Sequence, residues 1–128
     1  MPEALLDTSI VVDYLRGRGE AMGFVAAQRQ HGELSVHAVV EAEIIAGALD
    51  RRDLRGANRF LSTCTRVIPD ESDLRRSLVL LARHRLASGV EWHDCIIAAT
   101  ALRTGISVAT FNQKHFRVFR GLRVIVPY

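Results

Sequence analysis

The sequence predicts an α/β fold: a three-layer α/β/α sandwich around a mostly parallel, five-stranded sheet. Two observations carry this. Short apolar runs bounded by turn residues alternate with longer segments of helical character along all 128 residues. The first run, Ala4 to Leu6, leads straight into Asp7-Thr8-Ser9, which is cap chemistry for a helix.

In chain order, Ala4–Leu6 reads as a buried strand because it is brief and continuous. A helix follows with Ile10, Val11, Tyr14 and Leu15 as its apolar positions, and Arg16 to Gly19 breaks it. A second helix, Glu20 to Gln30, offers Met22, Phe24, Val25 and Ala26 as contacts and ends at His31-Gly32. Glu33 to Val36 is the second strand. Residues 38–49 form a helix apolar around most of its circumference, which favours burial. It carries Glu41 and Glu43, which point about 200° apart, so at most one faces a given site.

Arg51, Arg55 and Arg59 make a basic stripe along a helix from Asp53 to Thr63, most simply a solvated face. Arg66 to Ile68 is the third strand. Asp70 caps a long helix to Ser88 whose expected buried seam is Leu74, Leu78, Leu81 and Leu86, and Gly89 ends it. Trp92 to Leu102 is a small-residue helix closed by Gly105, with Asp94 in its first turn, where the dipole favours an acid in any case. Ile106 to Ala109 and Leu122 to Val126 are the last two strands.

The length fits a single domain spanning 1–128. Apolar residues make up 48% and charged residues 24%, ordinary values for a globular chain. No run approaches the ~20 apolar residues of a membrane span, and no secretory signal opens the chain, so a cytoplasmic location without membrane attachment is expected. The net charge of +3 is carried by arginine, with Lys114 the single lysine, which admits nucleic acid as a partner. Cys64 and Cys95 have neither metal-type spacing nor the number of a disulfide framework.

Asp7, Glu43 and Asp94 each have a local explanation, yet together they form a pattern. One follows the first strand, one lies in the helix after the second, and one heads the helix before the fourth. In a parallel sheet such positions share one edge. Converging carboxylates repel unless a cation sits among them, and an all-oxygen set suits Mg²⁺, with Mn²⁺ as a substitute.

With these residues in place, the chain resembles the PIN-domain ribonucleases, specifically VapC-type toxins of type II toxin–antitoxin systems. The matching stretches are Leu5 to Ser9, the E-x-x-x-G helix Glu43 to Gly47, Asp94 to Leu102, Thr110 to Phe116, and Gly121 to Ile125. The resemblance implies that Asp7, Glu43 and Asp94 are the catalytic, metal-binding carboxylates and that Thr8 helps orient water or substrate. Asn112 holds the amide position of the Thr110 to Phe116 motif, and His115 stands where a fourth acid often occurs. One firmly held Mg²⁺ is expected, with Glu41 as an outside candidate for the second acid.

The activity implied is Mg²⁺-dependent endoribonuclease cleavage of tRNA or rRNA phosphodiesters by an in-line water. A small VapB-type antitoxin would neutralise it, within a hetero-oligomer built on a toxin homodimer. Two rival readings stay open: a catalytically weak PIN-like binding domain, and a phospho-receiver using Asp70, Thr110 and Lys114.

Overall fold

The computed structural model describes residues 3–128; Met1 and Pro2, the first two of the expected domain, lie outside them. The elements in order are β1 (Ala4–Leu6), α1 (Thr8–Leu15), α2 (Gly19–Gln30), β2 (Ser35–His37), α3 (Ala38–Ala46), α4 (Arg51–Leu61), β3 (Thr65–Val67), α5 (Glu71–Ser88), α6 (Trp92–Thr104), β4 (Ser107–Ala109), α7 (Gln113–Phe116) and β5 (Val124–Ile125). The five strands form one sheet of order β3-β2-β1-β4-β5, and every neighbouring pair is parallel.

The chain steps outward from β1 to β2 and β3, then returns to β4 on the other side of β1. Right-handed crossovers therefore set α1 to α4 on one face and α5 to α7 on the other. The packing follows: α1 lies against α2 and α3, α3 against α4, and α5 against α6. β1 and β4 flank the point where strand order reverses, the place at which open α/β sheets form their crevice. Leu5, Leu6, Val36 and Val108 are almost wholly buried beneath it.

Strong caps end the elements. Asp70 accepts from Asp73 N–H and completes a capping box for α5. Gly89 and Gly105 close α5 and α6 at φ 69° and 73°, a left-handed conformation that favours glycine. Among the described residues no helix is long and apolar enough to cross a membrane.

Three local expectations are corrected. β2 lies one to two residues later than expected and ends on His37. α3 stops at Ala46, leaving Leu49 90% exposed. The seam of α5 is rotated: Asp73, Ser77 and Leu80 are buried, while Leu74, Leu78 and Leu86 face outward. Polar pairing sets that rotation, because Asp73 engages Arg103 of α6 and Ser77 accepts from Trp92. On α2 the inward residues are Ala21, Phe24, Val25 and Gln28, with Met22 and Ala26 outside. The α4 arginines Arg51, Arg55 and Arg59 are exposed, as a solvated face requires.

His37 joins the two halves of the molecule. Its Nδ1 accepts from Val39 N–H at 3.0 Å, capping α3, and its Nε2–H donates to Thr100 Oγ1 of α6 at 3.0 Å. Thr100 passes its own proton to Ile96 O, so one neutral tautomer satisfies the whole chain. Burial lowers the His37 pKa to about 4, against a smaller opposing pull from Asp73. The unfolded chain thus binds a proton that the native state refuses between its ordinary value of 6.5 and about 4. Stability is full above that window and is expected to fall through it by up to about 1.4 kcal/mol per pH unit. Chemical denaturation at pH 7, 5.5 and 4.5 reads this directly. A His37→Gln variant with the same acid slope would contradict it.

Candidate functional site

Asp7 is placed by β1 and held by local chemistry. As the N-cap of α1 its Oδ1 accepts from Thr8 N–H at 2.8 Å. Its Oδ2 accepts from the Thr110 hydroxyl at 2.6 Å, and its backbone N–H donates to Ala109 O at 2.9 Å. Thr110 is fully buried, and its Oγ1 also accepts from Asn112 N–H. The end of β4 therefore fixes the carboxylate that follows β1, across the reversal of strand order.

Asp94 sits at the third position of α6 and is 1% exposed. Its Oδ2 accepts from Glu91 N–H at 3.0 Å, a capping contact. Two histidines flank the same carboxylate: His93 Nε2 lies 3.2 Å from Oδ1, and His115 Nδ1 lies 3.0 Å from Oδ2. Asn112 Nδ2 stands 2.9 Å from that same His115 nitrogen. One ring nitrogen serves Asp94 as a donor or Asn112 as an acceptor, so the position of its proton decides which partner it holds.

Glu43 projects from α3 toward these groups, whereas Glu41 points away to an ion pair with Arg66 at 3.3 Å. Burial raises the Glu43 pKa, as do the charges of Asp7 and Asp94; His93 and the Thr8 hydroxyl act the other way. The Thr8 hydroxyl is close enough to the Glu43 carboxyl to lower its pKa, yet neither Glu43 Oε1 nor Thr8 Oγ1, both buried, completes a hydrogen bond of ordinary geometry. A buried carboxylate oxygen with no donor is costly, and here it faces two further carboxylates.

Asp7, Asp94 and Thr8 thus lie within electrostatic reach of Glu43, with Asn112 reaching Asp94 through His115. Two flanking groups escaped sequence reasoning, His93 and the Asp7-holding role of Thr110. A hydroxyl at the end of a strand beside β1 was the available signal, but strand order is needed to use it. Among the described residues no three His, Cys, Asp or Glu side chains are arranged to hold a metal ion as they stand. Glu43 and Thr8 have lone pairs to spare, while both Asp94 oxygens are engaged. The donor set is oxygen-rich and anionic, so it fits a hard divalent cation once Asp94 releases a histidine.

The phospho-receiver alternative does not fit. Asp70 caps α5 and contacts Ser72, Asp73 and Arg103. Thr110 lies three strand positions away, about 14 Å at ordinary strand spacing.

The PIN domain family model matches residues 4–121. The chain is 31% identical over 121 residues to Ribonuclease VapC19 of Mycobacterium tuberculosis, covering 93% of this chain and 96% of that one. It is similar to a toxin-antitoxin complex from Klebsiella pneumoniae, with TM-score 0.79, 28% identity and 98% of both chains covered. DNA-bound VapBC from Salmonella typhimurium shares the fold at TM-score 0.83 and 20% identity, over the full length of both chains.

Proposed function

This chain belongs to the PIN domain family, and on that premise we propose that it is the metal-dependent endoribonuclease of a toxin–antitoxin pair. The observation that supports the reading is that Asp7 and Asp94 both act electrostatically on Glu43, whose buried Oε1 completes no hydrogen bond of ordinary geometry. Its relatives named as ribonucleases and its likeness to the toxin-antitoxin complex from Klebsiella pneumoniae support the same reading.

A hard divalent ion, Mg²⁺ or Mn²⁺, would supply Lewis acidity and a water of lowered pKa for in-line hydrolysis of an RNA phosphodiester. The chain's own part is to hold the acids. Asp7 is kept in one rotamer by Thr8 N–H and the Thr110 hydroxyl. Asp94 is kept by Glu91 N–H. Glu43 stays close to both because His37 ties the start of α3 to α6. Thr8 Oγ1, buried beside the Glu43 carboxyl, is placed to orient a water or a phosphate oxygen. His93 and His115 beside Asp94 can carry a proton toward the departing oxygen.

The substrate class is tRNA or rRNA, cut in the cytoplasm. A small VapB-type antitoxin would silence the site, its basic group answering the acidic cleft. The exposed leucines of α5 suit a toxin homodimer, and the two proteins together would form a hetero-oligomer. The second reading, a catalytically weak binding domain, is favoured by the engagement of both Asp94 oxygens. Incubation with a tRNA pool in Mg²⁺, with and without EDTA, tests the enzyme. Cleavage is expected in Mg²⁺ or Mn²⁺ and should vanish on chelation. Equal cleavage in EDTA would refute the metal, and absence of cleavage in either ion would favour the binding domain. Light scattering is expected at twice the chain mass of 14.2 kDa.

A further inference from the structure

A hollow of about 350 Å³ is lined by Leu81, Arg85, Val90, Glu91 and Trp92. It forms where the end of α5 meets the start of α6. Glu91 joins it to Asp94: its backbone N–H donates to Asp94 Oδ2, while its exposed carboxylate lines the hollow with Oε2 3.4 Å from His93 Nδ1.

The walls are held still. Trp92 Nε1–H donates to Ser77 Oγ at 3.0 Å, and Ser77 donates onward to Leu74 O. The indole is thereby fixed although it is 41% exposed. Arg85 Nη1 donates to Gly89 O and Val90 O, both at 3.0 Å. That leaves its Nε and Nη2 without partners among the described residues. Val90 is fully buried beneath them.

An aromatic ring held rigid yet open to solvent forgoes burial that a ligand would restore. Around it stand an apolar floor, donors on one side chain and acceptors on another. A nucleobase asks for this combination, since it has a flat face for stacking and an edge that mixes acceptors with N–H donors. The volume is at the small end of the ~300–1,000 Å³ typical of small-molecule sites, and the Glu91 N–H ties the hollow to Asp94, one of the acids of the proposed nuclease.

We propose that this hollow receives one unstacked base of the RNA strand adjacent to the scissile phosphate. Trp92 is the stacking surface, and Arg85 and Glu91 read the edge of the base. The inference rests on the ribonuclease reading above.

Trp92 is the single tryptophan of the chain, so its emission reports on this hollow alone. The Asp7→Asn protein in Mg²⁺, chosen to slow cleavage, is titrated with a fluorescein-labelled single-stranded RNA hexamer and with a series lacking one base at each position. Binding is followed by anisotropy. Quenching of Trp92 is expected on saturation, and it should be lost when one particular base is missing. Trp92→Leu and Arg85→Ala should weaken binding about 5- to 100-fold, the range that one stacked base commands. Trp92→Phe keeps an aromatic face without the Ser77 bond and should bind close to the parent. RNA binding with unchanged Trp92 emission and unchanged Trp92→Leu affinity overturns the proposal, as does the absence of RNA binding. Emission that tracks protein concentration without RNA would assign the hollow to a second copy and likewise overturn it. If Trp92→Leu in the otherwise native chain cuts RNA at the same positions and rate, the subsite falls while the nuclease reading stands. If the native chain cuts no RNA in Mg²⁺, the nuclease reading itself falls.

Discussion

Asp7→Asn is expected to lower RNA cleavage by about 10²- to 10³-fold, the usual loss when one group stabilising transition-state charge is removed. The fold should survive the change. Asparagine is as good an N-cap as aspartate, so Oδ1 can still accept from Thr8 N–H. The new amide would face Thr110, whose hydroxyl oxygen can accept where it formerly donated. Removing a negative charge from beside Glu43 also relieves one cause of that residue's raised pKa. The melting temperature should therefore stay within about 4 °C of the parent, equivalent to roughly 1 kcal/mol. Cleavage within threefold of the parent, measured on a variant with a parental melt, would remove Asp7 from the proposed centre. Glu43→Gln offers a complementary readout, because its burial among like charges predicts a chain at least as stable as the parent at neutral pH. Glu43 favours the folded state most below its ordinary carboxylate range and loses that contribution as pH rises through its raised pKa.

Arg103→Ala is expected to lower stability, because it leaves the buried Asp73 carboxylate without its guanidinium partner. Asp73 is 2% exposed, and its carboxylate receives Arg103 Nε and Nη2 at 2.9–3.1 Å. Burial alone would push the Asp73 pKa up, but the guanidinium bonds and the Asp70 N–H outweigh it and hold the pKa below the ordinary value. The pair's contribution is thus present above the ordinary carboxylate range and lost as pH falls through the lowered pKa. A drop of several degrees in melting temperature is expected, shrinking in acid as Asp73 takes up a proton. A fall below 2 °C at pH 7 would show the pair to be dispensable. The double variant Arg103→Leu with Asp73→Leu should recover much of the loss, since two apolar side chains replace an ion pair without leaving a charge behind.

The legible parts of this molecule are those written within one turn of chain. Ala4 to Asp7 reads as strand and cap because the apolar run and the capping oxygen are adjacent. Asp70 and Gly89 bracket α5 for the same reason. The rotation of α5 was not legible. Leucine spacing allows several faces, and the choice came from Asp73 and Ser77 meeting Arg103 and Trp92 on another helix. The helical wheel set Glu41 and Glu43 about 200° apart but left Glu41 as an outside candidate, and Arg66, on β3, removes it by pairing with it.

By itself, the sequence determined the alternation of strands and helices, the caps that end them and the three acids spaced for one sheet edge. These depend on periodicity and on hydrogen bonds between near neighbours. Only the tertiary structure decided that Thr110 holds Asp7 and that His93 and His115 flank Asp94. It also left Glu43 Oε1 without a hydrogen bond of ordinary geometry. The reason is strand order: β4 returns to lie against β1, bringing residues 103 positions apart into one hydrogen bond, and no local preference encodes which strand becomes the neighbour.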